Sequence, residues 1–147
     1  MGAAFVQTFS VAHGEFDTAG DASSKIKAVL KKLGISSKVI RDVAIAAFES
    51  EMNLIIHSIG GTMRLEVTPL EIVLISEDGG PGIADIGLAL TEGYSTAPES
   101  VRNLGFGAGM GLPNIRRHSH SFHIESELGK GTRIEAKYYL NGASGTT

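Results

Sequence analysis

Glu71-Ile72-Val73-Leu74-Ile75-Ser76-Glu77-Asp78-Gly79-Gly80-Pro81-Gly82 is the stretch on which the fold turns. The run from Glu71 to Ser76 is rich in β-branched residues and predicts a well-buried strand. That strand delivers the chain into a tight glycine-rich loop, Glu77 to Gly82. Just upstream, Met63, Leu65 and Val67 alternate with polar residues, as in a half-buried strand. Thr68-Pro69 separates the two strands, and no crossover helix fits between them. Further upstream, Ser36 or Ser37 caps a long helix running to about Ser58. Its apolar face holds Ile40, Val43, Ala47, Phe48 and Ile55, and Gly60-Gly61 stops it. Before it, Ala22, Ile26, Val29, Leu30 and Leu33 recur at helical spacing and Gly34 ends the helix. Phe5, Val6, Phe9 and Val11 place a strand over residues 4–12.

Downstream of the loop, Ile83 to Leu90 reads as a short helix. Thr91 to Met110 is long and rich in Gly, Ser and Thr, the character of a functional lid or binding loop. Leu112-Pro113-Asn114-Ile115 opens another helix, with proline in its first turn. Phe122–Glu127 and Thr132–Leu140 alternate on either side of Leu128-Gly129-Lys130-Gly131 and read as a hairpin. Residues 141–147 read as a disordered tail. The order is strand, two helices, two strands, helix, lid, helix, hairpin. It predicts one α+β domain over residues 1–140, a two-layer sandwich with helices on one face of a mixed, mostly antiparallel β-sheet. Strict βαβ alternation is missing, which disfavours a doubly wound fold.

Composition narrows the function classes. The chain has 147 residues, 42% hydrophobic and 20% charged, with a net charge of −3. That balance suits a packed core and disfavours non-specific binding to nucleic acid or an anionic membrane. The absence of cysteine excludes disulfides, thiolate metal sites and cysteine nucleophiles, and fits a reducing cytoplasm. No apolar run has transmembrane length, and Met1 to Ser10 lacks the pattern of a signal peptide.

Three clusters carry the chemistry. In the long helix, Glu49 and Asn53 are four residues apart and share a face, which His57 continues. A carboxylate can polarise a hydroxyl, and an amide oxygen is a hard ligand suited to Mg²⁺. A solvated polar stripe would have the same spacing. In the second cluster, Asp78 at a strand end precedes Gly79, Gly80 and Gly82. An ionised carboxylate only accepts hydrogen bonds, so it would select an amino group such as adenine N6. A plain turn uses the same residue types. In the third, Gly105, Gly107, Gly109 and Gly111 alternate directly before a helix. Successive exposed N–H groups and the helix dipole make a phosphate cradle, and a hinge is the alternative. The run is neither a Rossmann fingerprint nor a Walker A loop. No G-x-S-x-G elbow exists for a hydrolase triad. His118, His120 and His123 alternate at a helix-to-strand junction without a carboxylate partner, which disfavours a metal site. Arg116-Arg117 reads as surface or phosphate-side charge rather than a nucleic-acid patch.

The ordered trio of helix carboxylate–Asn, D-G-G-P-G and G-x-G-x-G-x-G-L resembles the N, G1 and G2 boxes of the GHKL ATPase superfamily. The resemblance covers about Ile40 to Tyr138. Within that superfamily the chain is most similar to stand-alone anti-sigma factor serine/threonine kinases and stress-module switch kinases. Gly93-Tyr94-Ser95-Thr96-Ala97-Pro98-Glu99, Arg102 and Gly109-Met110-Gly111-Leu112 carry this closer likeness. Asn103 to Phe106 lengthens the stretch relative to the shorter anti-sigma pattern.

The resemblance implies a Bergerat-type ATP-binding domain and a cytoplasmic kinase. Its substrate would be Mg-ATP, with the γ-phosphate passing to a Ser or Thr of a protein partner. A non-catalytic ATP-dependent binding module and a simple ATPase are the alternatives. By position, Glu49 would be the catalytic base and Asn53 the Mg²⁺ ligand. Asp78 would bind adenine N6, with Gly80 and Gly82 shaping the pocket and Thr132 supporting Asp78. Gly105, Gly107, Gly109 and Gly111 would surround the triphosphate, and Arg102 would approach the γ-phosphate. The implied partner is an anti-sigma antagonist-like substrate, a sigma factor-like target, or both. A homodimer is compatible, and no nucleic acid or membrane is implied.

Overall fold

The computed structural model describes residues 5–83, 86, 90 and 111–140, apart from the side chain of His57. The strands are β1 (Phe5–Val11), β2 (Gly61–Val67), β3 (Glu71–Asp78), β4 (Ser121–Glu127) and β5 (Gly131–Tyr139). They form one sheet in the order β1-β2-β3-β5-β4. The sheet expected to be mixed and mostly antiparallel is antiparallel in every described pairing. The helices are α1 (Asp21–Lys32), α2 (Ser37–His57) and α3 (Gly111–Arg117).

Strand register sorts the side chains into two faces. Leu65, Leu74 and Ala136 are cross-strand partners, as are Val67, Ile72 and Tyr138, and all six are buried. Ile26 and Leu30 of α1, Val43, Ala46, Ala47 and Leu54 of α2, and Ile115 of α3 complete the same core. The other face is mostly polar. There Arg133 reaches Glu77 and Glu135 at 3.8 and 3.6 Å, and Arg64 pairs with Glu66 at 2.6 Å. This is the expected two-layer sandwich: all three described helices pack into the core on one side of the sheet.

Helix ends follow local rules. Gly34 is left-handed at φ +78, and it closes α1 with two bonds: Gly34 N–H to the Lys31 carbonyl and Ile35 N–H to the Leu30 carbonyl, each 3.1 Å. The Ser36 hydroxyl accepts from Val39 N–H at the start of α2. The start of α1 differs. Its N-cap is Gly20, which has no side chain to offer, and the capping acceptor comes from Glu51 of α2 instead.

Of the short helix expected over Ile83 to Leu90, three residues are described, and the first of them, Ile83, is not helical. Ile86 is helical and its carbonyl accepts from Leu90 N–H at 3.0 Å. The rest of that segment, the expected lid over 91–110 and the tail over 141–147 lie outside the described residues. Among the described residues, no helix is long and apolar enough to cross a membrane.

Candidate functional site

Helix α2 organises the site: its C-terminal half meets Gly111, and Ile59 just past its end holds the Asp78 loop. Glu49 and Asn53 are half-buried on the side that meets α3. Gly111, the first residue of α3, comes so close that a Cβ there would lie 3.1 Å from Asn53 Oδ1 and 3.5 Å from Glu49 Oε1. The approach to Asn53 Oδ1 is tighter than an ordinary Cβ contact, so the bare α-carbon spares that oxygen a crowding neighbour. One turn further on, Asn114 Nδ2 donates to Glu49 Oε2 at 3.1 Å. The packing that brings α3 here is apolar: Leu112 and Ile115 are buried in the core. Among the described residues, the Asn53 amide has no hydrogen-bond partner.

Asp78 ends β3. Its Oδ1 accepts from Gly80 N–H at 3.0 Å and from Thr132 N–H at 3.2 Å. With Oδ1 doubly engaged, Oδ2 makes no hydrogen bond among the described residues. Burial raises the carboxyl above its ordinary value, and the two N–H donors pull it back. Thr132 thus supports Asp78 through its backbone, while its hydroxyl shares a 2.7 Å bond with Ser126 Oγ.

The loop after Asp78 is pinned from two sides. Ile59 N–H, just past α2, donates to the Gly80 carbonyl at 3.1 Å. On the hairpin side, Gly129 N–H donates to the Pro81 carbonyl at 2.8 Å and Ile83 N–H to Ser126 Oγ at 2.7 Å. Gly82 has φ +89, and a Cβ on it would run into the Glu127 carbonyl, so this position needs glycine on both counts. Through the Ile59–Gly80 bond, the Asp78 loop is tied to the end of the helix that carries Asn53. At 1.5 Å per residue, Asn53 stands only about 6 Å along the axis from the last helical residue.

The structure therefore brings Glu49, Asn53 and Gly111 together, and separately Asp78, Gly80, Gly82 and Thr132. Arg102, Gly105, Gly107 and Gly109 lie outside the described residues. Sequence reasoning missed Asn114 and Ser126, since a single Asn or Ser carries no spacing signal. The three histidines take separate partners: His118 the Asn114 carbonyl, His120 the Tyr139 N–H, and His123 the Glu125 carboxylate.

No family model matches the chain. Individual proteins do. The anti-sigma F factor of Clostridium kluyveri is 32% identical over 128 residues, covering 84% of this chain and 87% of that protein. The chain belongs to the stand-alone anti-sigma factor serine/threonine kinases of the GHKL type. The serine/threonine-protein kinase RsbT of Bacillus subtilis is 30% identical over 116 residues, 76% of this chain and 81% of RsbT. Among solved structures, the SiaB-SiaC complex from Pseudomonas aeruginosa aligns with a TM-score of 0.56. That alignment covers 91% of this chain and 89% of the other at 12% identity, a likeness of fold alone. Membership in this kinase family carries ATP use with it.

Proposed function

We propose that the protein transfers the γ-phosphate of Mg-ATP to a Ser or Thr hydroxyl of a partner protein in a partner-switching module of the cytoplasm. The observation that supports this best is the convergence of Glu49 and Asn53 on the bare α-carbon of Gly111. Phosphoryl transfer needs positioning and charge neutralisation more than covalent chemistry, and this arrangement offers groups for both.

Asn53 would hold Mg²⁺, which when bound neutralises charge on the phosphates. Glu49 accepts the proton of the attacking hydroxyl as the new phosphorus–oxygen bond forms and the bond to the ADP oxygen breaks. By the resemblance, Gly105, Gly107, Gly109 and Gly111 would surround the triphosphate, and Arg102 would approach its end. Asp78 receives the adenine N6 amino group on Oδ2, the oxygen that the backbone leaves available. Gly80, Gly82 and Thr132 keep that carboxylate and its loop in place. The partner is an antagonist-like substrate bearing the acceptor hydroxyl, a sigma factor-like target, or both.

Labelled ATP tests the transfer. Incubation with a candidate antagonist protein should place label on a Ser or Thr of that protein. Nucleotide-dependent association without label would instead make the chain a binding module, and free phosphate alone would make it an ATPase.

Asp78→Asn tests the adenine end. A hydrogen bond to a charged acceptor contributes about 1.5–3 kcal/mol, so ATP affinity should fall roughly 10- to 100-fold. GTP presents an acceptor at the same ring position and should be far less affected. Titration of both nucleotides reads the ratio, and an unaltered ratio would remove the adenine role.

A further inference from the structure

Asn114 sits on no glycine box, yet it touches the proposed base directly. Its Nδ2 donates to Glu49 Oε2 at 3.1 Å, and its Oδ1 accepts from Arg117 Nη1 at 3.0 Å. The two partners fix which way the amide faces, because a guanidinium only donates and a carboxylate only accepts. The Asn114 backbone is held as well: its carbonyl accepts from His118 N–H at 3.2 Å and lies 2.9 Å from His118 Nδ1. Pro113 and Ile115 on either side are buried, so the residue that carries the amide is anchored in the packed layer.

The consequence is a division of labour within the Glu49 carboxylate. Oε2 is bound by Asn114. Oε1 lies on the Gly111 side, where the Asn53 amide oxygen also lies. We infer that Asn114 is a positioning residue for Glu49: it clamps Oε2, sets the rotation of the carboxylate, and so leaves Oε1 as the atom that meets the acceptor hydroxyl. Arg117 is the outer member of the same relay and sets the amide. This inference rests on the phosphoryl-transfer reading of the site. Angular placement of a reacting group matters at this level, since a displacement of about 1 Å can cost roughly 100-fold in rate.

The test measures transfer of labelled γ-phosphate from saturating Mg-ATP to the Ser or Thr of the antagonist-like partner, with nucleotide affinity measured separately. Asn114→Ala should lower the rate about 10-fold or more and leave the dissociation constant within about twofold. Asn114→Asp keeps the shape but turns an acceptor toward Glu49, and should fall at least as far. A residue that only filled space would tolerate Asp and fail with Ala. On a Glu49→Gln background, Asn114→Ala should cost nothing further, because both changes act through one carboxylate. A wild-type rate in Asn114→Asp, or additive losses in the double variant, overturns the positioning role while the kinase reading stands. A wild-type rate in Glu49→Gln itself overturns the base assignment and this inference with it.

Discussion

Asn53→Ala should abolish Mg-dependent nucleotide binding and leave the fold intact. Asn53 lies inside α2, and its side chain has no protein partner among the described residues, so no protein contact of that kind is lost. Alanine is the better helix former by several tenths of a kcal/mol, which favours an unchanged or slightly raised melting temperature. The binding loss is expected to be large. Even partners one shell out from a metal commonly change affinity 10- to 100-fold, and a direct ligand should exceed that. Calorimetric titration of ATP with Mg²⁺, and again with chelator, measures it. The wild type should show a strong metal dependence and the variant almost none. An affinity that keeps its metal dependence in the variant removes Asn53 from the metal site.

The second large effect falls on stability. Glu51 is 2% exposed, yet it is a carboxylate with no ion pair among the described residues. It accepts from three backbone N–H groups at the start of α1: Gly20 at 3.1 Å, Ala22 at 3.2 Å and Ser23 at 3.1 Å. These are the donors that every helix leaves unsatisfied at its N-terminus, and the helix dipole favours the negative charge there. Glu51→Ala strands all three, those of Ala22 and Ser23 in a buried place and that of Gly20 in a half-buried one. The cost should be on the order of 3–5 kcal/mol, a large share of the stability of a domain this size. That corresponds to a fall in melting temperature of about 10 °C or more. Glu51→Gln should lose less, since one amide oxygen still accepts while the amide nitrogen faces donors. Thermal unfolding followed by circular dichroism reads both. A shift of only about 2 °C in Glu51→Ala would show that water or a local rearrangement satisfies the three donors.

These two residues show what a linear reading can and cannot see. Glu49 and Asn53 share a face because four residues make about one turn. Glu51 lies about 200° round the helix from Glu49, so it points the other way. In sequence the three are one polar run, Glu49-Ser50-Glu51-Met52-Asn53, and the helical period separates them into two jobs. The period could flag Glu51 as off the Glu49 face. It could not supply the partner, because Gly20, Ala22 and Ser23 are about thirty positions away in sequence. Ser126 is a similar case. Its hydroxyl joins Ile83 N–H to Thr132 Oγ1 and the Gly131 carbonyl. It does so only after the hairpin has folded against the Asp78 loop.

The sequence by itself determined the elements and their types: alternating runs for strands, helical spacing for α1 and α2, and a glycine for the end of α1, while α2 stops at Ser58, short of the Gly60-Gly61 pair. It also determined the boxes, because alternation, capping and close backbone approach are local demands on residue type. Tertiary structure decided the strand order β1-β2-β3-β5-β4, which side of α2 meets α1, and the pairing of Asn114 with Glu49. Those outcomes depend on which apolar faces bury against one another, and on buried polar groups finding partners across tens of residues, so no short window of the chain contains them.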